Sequence, residues 1–497
     1  FAALGFHEGP SVGVAAARVP SRPSSPEQQN AANGAQVLRS LLEIRRLLAL
    51  AARLVGEVAA GGFACQSLSN LAWAFATLGE EDAPLLAALA AASIARIQQM
   101  TPQDLSITAW SFALLGFWHG TLLEAIASAS ITRLGDFSSQ QLSNLSWSCA
   151  SLLYFHGPLL NSIAAAAIPK MRHASQQDLA NTSWAFANLE LVHEPLLQSI
   201  AAAARQRISE FSMQGLANTV WAFATIAMMD FPLIDAIAAS ALRKIAAAET
   251  LPQNLSNIAW AFAALGFPHL PLMEAIAAPS LAKIAAFAAQ DLANIAWAFA
   301  TFSLLSSPLI QALSAQALSR IGDFDMQHLS NPAWAMAELQ CRDEPLLAAI
   351  ASAAIRRLTE LRTQNVSNTA WAFAVLSVRA EPLLEALSAA SLRSIDEFTS
   401  QDLGTTAWSF ATIQLAPTPL MQAISAAAIP RCTQLTPQAR ANLAWSWANL
   451  ANRNPPLLQA LASQAIRLIS QLCPQHLTNT AWAFAQLGFR HVPLLQA

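Results

Sequence analysis

Apolar residues in this chain cluster at helical spacing, and the clusters themselves recur. Around Trp110, for example, Leu105, Ala109, Phe112, Ala113 and Leu115 fall on one broad arc of a helical wheel, while polar or small side chains fill the rest. The pattern predicts an amphipathic helix, A, from about nine residues before each such Trp to about five after it. A second apolar run, such as Leu196, Leu197 and Ile200, predicts a helix B after a short variable loop. Helix A often begins with a Ser/Thr cap followed by Pro or a first-turn acid, as in Thr101-Pro102-Gln103-Asp104. Helix B opens at a proline eleven residues after the Trp in eleven of twelve repeats, Thr121 being the exception. A first-turn proline gives up no hydrogen bond it would have made.

Tryptophan marks the period. Twelve of them, from Trp73 to Trp482, stand 37 residues apart, except for one step of 39 between Trp221 and Trp260. The two extra residues fall between Lys244 and Gln253, in the predicted loop between repeats, where insertion costs little. Each repeat can bury its apolar faces only against its neighbours. The expected fold class is therefore all-α, an α-α superhelix (solenoid) of about twelve 37-residue two-helix repeats. Residues 64–497 are expected to form the tandem repeats, and residues 1–63 partial and degenerate ones with a Pro/Ser/Gln linker at 20–34. Gln29 and Asn33 keep the phase of a repeat that lacks its Trp, and Phe1–Pro10 matches Phe75–Pro84. The sequence opens without a methionine and stops at Ala497 inside a repeat, so it reads as a fragment, truncated at its C-terminus.

Composition narrows the classes. With 54% hydrophobic and 11% charged residues, a disordered tail and a charge-rich coiled coil are excluded. The mean hydropathy of +0.38 raises the question of a membrane. A spanning helix needs about 20 nearly uninterrupted apolar residues, and Arg53 and Glu57 break the rich window Leu47–Cys65, so no membrane segment is expected. A net charge of −3 provides no strong basic field, which leaves any nucleic-acid reading to local pattern. The five cysteines are widely spaced and form no Cys/His ligand pair, which fits a reducing compartment and argues against zinc. No P-loop, nucleophile elbow, HExxH or GxGxxG motif proposes catalysis, and no cofactor is implied.

Three polar rows carry candidate chemistry. A glutamine stands seven residues before every Trp, as in Gln103, Gln177 and Gln290. Three residues before it comes Asn70, Asn144, Asn181, Asn218, Asn257, Asn294, Asn331, Asn368, Asn442 or Asn479, replaced in two repeats by Ile107 and Thr405. This i, i+4 pair stacks on one helix face. Asparagine is a mediocre helix former, so its repeated mid-helix placement needs a hydrogen-bonding reason. Either the amides bond the neighbouring repeat, or they read a threaded ligand. In a second row, six before and four after the Trp, residues vary while staying mostly polar or small, as in Asp178, His328, Thr225 and Asn449. A fixed amide frame flanked by changing side chains suits a one-repeat, one-base reader; free drift at exposed positions is the alternative.

The third row is basic. Arg96, Arg133, Lys170, Arg207, Lys244, Lys283, Arg320, Arg357 and Arg431 stand 23 residues after their Trp, and Arg393 and Arg467 one residue earlier. One cation per repeat suits one phosphate per nucleotide, while the macrodipole at the last turn of helix B accounts for it equally. Pro169 and Pro430 are expected to redirect Lys170 and Arg431. The tryptophans, flanked by alanines at one helical phase, read as packing. His119, His156, His193, His269 and His491, nine after their Trp, read as loop residues too far apart to share a metal. Pro332, two before Trp334, predicts a kinked or split helix.

The unit QDLANxAWAFAxL…PLLxAIAxxAxxRI, clearest at Gln290–Thr301 and Gln177–Leu189, resembles the heptatricopeptide and octotricopeptide repeats. These include the repeats of FAST-kinase-like proteins and of RNA-editing substrate-binding complex subunits, and the resemblance spans residues 64–497. It implies an organellar protein, mitochondrial or plastid, that binds single-stranded RNA within a ribonucleoprotein complex and assists RNA processing, stability or editing. The alternative is an armadillo-like protein–protein interaction scaffold whose Asn amides hold the backbone of an extended peptide. RNA needs amides and cations together, whereas a peptide groove needs only the amides.

Overall fold

The computed structural model describes residues 58, 63–79, 81–245, 250–360, 362–469 and 473–496. The degenerate repeats and linker expected ahead of residue 58, and much of the insertion after Lys244, lie outside the described residues. Within them all regular structure is helical, A and B helices alternating with short 3-10 turns. The chain forms two compact units, one ending at Ser240 and the other beginning at Ala241.

Helix A is thirteen residues long in most repeats, as in Pro102–Leu114, Gln176–Asn188 and Pro437–Asn449. Its start is fixed by a reciprocal cap. The Thr101 hydroxyl accepts from the Asp104 amide at 3.2 Å, and the Asp104 carboxylate accepts from the Thr101 amide at 3.0 Å. Ser138 with Gln141, Ser175 with Asp178, and Thr399 with Asp402 repeat the device. The end is a left-handed residue six after the Trp: Gly116 and Gly266 in some repeats, Leu153, Glu190 and Ser303 in others. A non-glycine there costs about 1–2 kcal/mol. The turn is held by paired bonds such as Leu153 N–H to Ala150 O at 3.1 Å and Tyr154 N–H to Cys149 O at 2.8 Å.

Helix B carries its proline in the first turn, as expected, and the histidines before it have a task that spacing did not show. Nδ1 of His119, His156, His193, His269 and His491 accepts the backbone N–H three residues on, at 3.1–3.3 Å. Asp82, Asp230, Asp343 and Asn454 fill the same position in other repeats with the same bond. These residues are N-caps of helix B.

In each unit the A helices pack closely along their lengths, while consecutive B helices meet sparsely, so the A helices form the tighter layer. Small residues four before the Trp permit that approach. At Gly404 an added Cβ would lie 2.8 Å from Ala439 Cα in the next A helix. The core between layers holds the residue two after each Trp, Phe in most repeats (Phe112, Phe186, Phe262, Phe299) and Cys149, Met336 or Trp447 in three, with the helix-B run typified by Leu196, Leu197 and Ile200, all buried. Full burial of each such side chain stabilises by about 1.5–3 kcal/mol.

Of the two outcomes expected at Pro332, the split does not occur: the helix Met326–Glu338 runs unbroken through it. The proline removes one bond, to the His328 carbonyl, and the A helices packed before and after it, Ala289–Thr301 and Thr363–Val375, keep the segment helical. Among the described residues no helix is long and apolar enough to cross a membrane.

Candidate nucleic-acid interface

Past its first residue, helix A meets solvent along one stripe: the positions seven and three before the Trp, the Trp itself, and four after it. The positions between are almost all buried. The glutamines of the stripe are exposed or half-buried. Asn144, Asn181, Asn218, Asn294, Asn331, Asn368, Asn442 and Asn479 are half-buried, Asn70 is exposed, and Asn257 is buried. Among the described residues none of these glutamine or asparagine side chains hydrogen-bonds to the protein. The amide ladder between repeats that would have explained them structurally is not there. Their donors and acceptors remain available.

The tryptophans join this stripe instead of leaving it for the core. Most are half-buried, Trp184 and Trp221 fully so. Ring centroids of successive repeats lie 6.4 Å apart for Trp110–Trp147 and Trp147–Trp184, and 6.4, 6.2 and 6.2 Å along Trp260–Trp297–Trp334–Trp371. Trp408–Trp445–Trp482 continues at 6.1 and 6.5 Å. A base inserted between two rings would need about 7 Å between parallel planes, two stacking steps of about 3.4 Å. The tilted indoles form an apolar floor without open slots.

The varying row has a structural assignment. Asp104, Asp178, Asp291 and Asp402, six before the Trp, are buried. Besides capping their own helix, all four accept from the preceding repeat: Ser69 Oγ donates to Asp104 at 2.9 Å, Ser139 to Asp178 at 3.2 Å, Ser256 to Asp291 at 2.6 Å, and Ser367 to Asp402 at 2.7 Å. Burial pushes the Asp291 carboxyl above its ordinary range, opposed by the Ser256 and Ala288 bonds. Four after the Trp, Thr225, Thr301 and Thr412 donate to the carbonyl of that Trp at 2.8–2.9 Å. Asn188 and Asn449 donate to Ala150 and Ala411 of the preceding repeat at 3.1 and 2.8 Å.

The basic row is also engaged. Arg207, Lys283, Arg320 and Arg357 stand at the C-cap, just past the expected last turn of helix B. Arg133 donates to Met100 O at 3.0 Å, Lys283 to Thr250 O at 2.5 Å, Arg320 to Phe287 O at 2.6 Å and Arg431 to Phe398 O at 2.9 Å. Arg96, Lys170 and Arg207 make the same bond to Phe63, Phe137 and Ala174. The acceptor lies 33 residues earlier, at the start of the same repeat, so each cation ties a repeat's end to its beginning. Arg357 bonds Gly322 O at 2.9 Å, and Lys244 closes the helix Phe231–Lys244. Arg207, Arg320 and Arg357 also pair with Glu210, Asp323 and Glu360 at 2.6, 3.0 and 3.4 Å. Pro169 and Pro430 do not redirect their neighbours. They shorten helix B, which stops at Ala167 and Ala428, while Lys170 and Arg431 still reach the usual carbonyl. Among the described residues, Arg393 and Arg467, set one residue earlier, are exposed and make no such bond.

Sequence reasoning missed a further register in the loop eight residues after the Trp. In the first unit it holds exposed Trp118, Phe155, Val192 and Met229. In the second it holds exposed Leu305 and, further on, exposed Arg342, Arg379, Arg453 and Arg490. Arg342 and Arg379 pair with Glu344 and Glu381 at 2.9 and 3.1 Å, whereas Arg453 and Arg490 have no bonded partner. The spacing of these arginines, 37 residues or twice that, was the available signal, hidden by treating the loop as variable. In the second unit a cleft of about 330 Å³ opens on the stripe between Gln401, Thr405, Gln438, Asn442 and His476. Among the described residues no cluster of His, Cys, Asp and Glu could hold a metal ion.

The sequence pattern of a family described as RNA-editing substrate-binding complex 6 protein matches residues 43–269 and 252–497. No curated protein sequence matches significantly. Among solved structures, the chain is similar to a homology model of the full-length AP-3 complex, at 10% identity over 92% of this chain and 89% of that one, TM-score 0.26. It is also similar to the pentatricopeptide repeat protein PPR10 from maize, at 12% identity over 93% and 74%, TM-score 0.25.

Proposed function

We infer the function of this chain from the premise that it belongs to the RNA-editing substrate-binding complex 6 protein family. It is a helical-repeat protein of RNA editing or processing, and we propose that it acts by binding single-stranded RNA, without catalysis, in an organelle: the mitochondrion or plastid that the repeat resemblance implies. The observation that carries this reading is the run of Gln and Asn amides on the exposed face of the A layer with no intramolecular partner. Primary amides present a donor and an acceptor side by side, the set that pairs with a base edge. The indole floor beside them offers apolar contact to unstacked bases. One nucleotide per repeat would give a footprint of roughly a dozen. Arg133, Lys170, Lys283, Arg320 and their equivalents act in this proposal as braces, and phosphate contacts fall to unpaired cations such as Arg453 and Arg490.

The extended-peptide reading gains from one observation: the cations of the basic row are tied to backbone, and a peptide groove would not need them. Crosslinking of the intact protein in cells, with sequencing of bound RNA, tests the choice. Recovery of RNA crosslinked at A-helix peptides supports the proposal. Recovery of none, with a bound peptide partner instead, replaces it.

A further inference from the structure

The residues that a repeat protein uses to tell one base from another must satisfy two conditions. They must differ between repeats, and they must have hydrogen-bonding capacity left over. In this chain the two conditions largely part company. The varying polar positions on the A layer are mostly spent: Asp104, Asp291 and Asp402 are buried in helix caps and inter-repeat bonds, and Thr301, Asn188 and Asn449 are bonded to backbone. A few varying positions, such as Ser151, Glu338 and Gln486, also carry no side-chain bond, but the positions left free along the whole row are the constant ones, Gln in all twelve repeats and Asn in ten, above an indole present in every repeat. One-repeat, one-base readers vary two or three contacting side chains along the array. A surface that shows the same amide pair at every step meets each nucleotide with the same donors and acceptors.

We propose that the preferred ligand is correspondingly repetitive: a homopolymeric tract of single-stranded RNA, one base repeated, in place of a mixed sequence. The proposal rests on the RNA-binding reading above and goes beyond it in naming the kind of RNA. Each matched step adds the same small preference, so over several repeats the preferences multiply, whereas a mixed sequence collects matches at only a fraction of its steps. The two repeats that carry Ile107 and Thr405 in place of Asn are steps at which the preference weakens.

The test is direct binding by the whole chain to 24-nucleotide oligo(A), oligo(U), oligo(C) and a scrambled mixed sequence of equal length, by fluorescence anisotropy at one fixed salt concentration. One homopolymer binding at least tenfold more tightly than the mixed sequence is the expected result, and which one wins identifies the base. Equal binding of all four overturns the proposal while leaving RNA binding intact. Binding of none removes the functional reading and this inference with it. As a check on mechanism, Asn181→Leu and Asn218→Leu, which nearly keep size, add no charge and remove the amide donor and acceptor, should lower the affinity for the favoured homopolymer more than for the mixed sequence. An equal loss on both would show the amides to be general contacts and would also overturn the proposal.

Discussion

Two polar rows repeat along this chain at the same interval, and folding treats them in opposite ways. The cations at the end of helix B reach back 33 residues to a backbone carbonyl, in several cases with a carboxylate three residues on as a second partner. The amides of helix A reach nothing in the protein and face solvent along the tight layer. Recurrence alone marks both rows as important. Spent against unspent hydrogen-bonding capacity is what separates a brace from a candidate contact, because a buried or bonded polar group must break an existing interaction before it can make another.

The largest expected effect falls on the amides. Replacing Asn144, Asn181 and Asn218 together by Ala removes three neutral contacts of about 0.5–1.5 kcal/mol each. RNA affinity should fall about 10- to 1000-fold with the melting temperature unchanged or raised, since Ala is the better helix former. Unimpaired binding in a titration would sink the stripe as the interface. Next come the braces. Arg133→Ala, Arg320→Ala and Arg431→Ala combined should cost roughly 2–3 kcal/mol of stability, a charged bond being discounted for partial exposure. Denaturant unfolding should show the loss, and RNA affinity and its salt slope should stay near the parent values. A slope shallower by about 2 would mean that these cations touch phosphate after all.

A third substitution probes the varying row. Asp402→Ala removes the acceptor of the Thr399 amide and of the Ser367 hydroxyl, a loss of about 1–2 kcal/mol in thermal unfolding. No change in base preference should accompany it; a changed preference would return this position to the reading surface. The smallest effect is expected at unpaired cations. Arg453→Gln with Arg490→Gln should make the salt slope shallower by at most about 1.4, about 0.7 per phosphate contact, with only a few-fold change in affinity at low salt. An unchanged slope places the phosphates elsewhere.

Much of the fold was legible in the chain. A helical spacing of apolar residues, a Trp every 37 residues, Ser/Thr caps and first-turn prolines define two helices per repeat, and the buried sets around Leu105, Phe112 and Leu196 are those the wheel predicts. Local signals suffice there because a helix is closed by bonds between residues four apart and a repeat buries its faces only against adjacent copies. The continuity of the helix through Pro332 was not legible, since a proline's effect depends on what is packed around it.

Which residues recur, which helix each belongs to and which face of that helix is apolar can all be read along the chain. Which recurring polar groups are already used depends on the packed repeats. The partners are too far along the chain for any local pattern to pair them: Arg133 meets Met100, Ser256 meets Asp291, and Asn449 meets Ala411. Those distances close when repeats stack and each repeat's end is brought back beside its own beginning. The Trp rings show the same division. Their helical phase is local information, but the half-exposure of most of them follows from the next repeat covering one side of the indole and leaving the other beside the free amides.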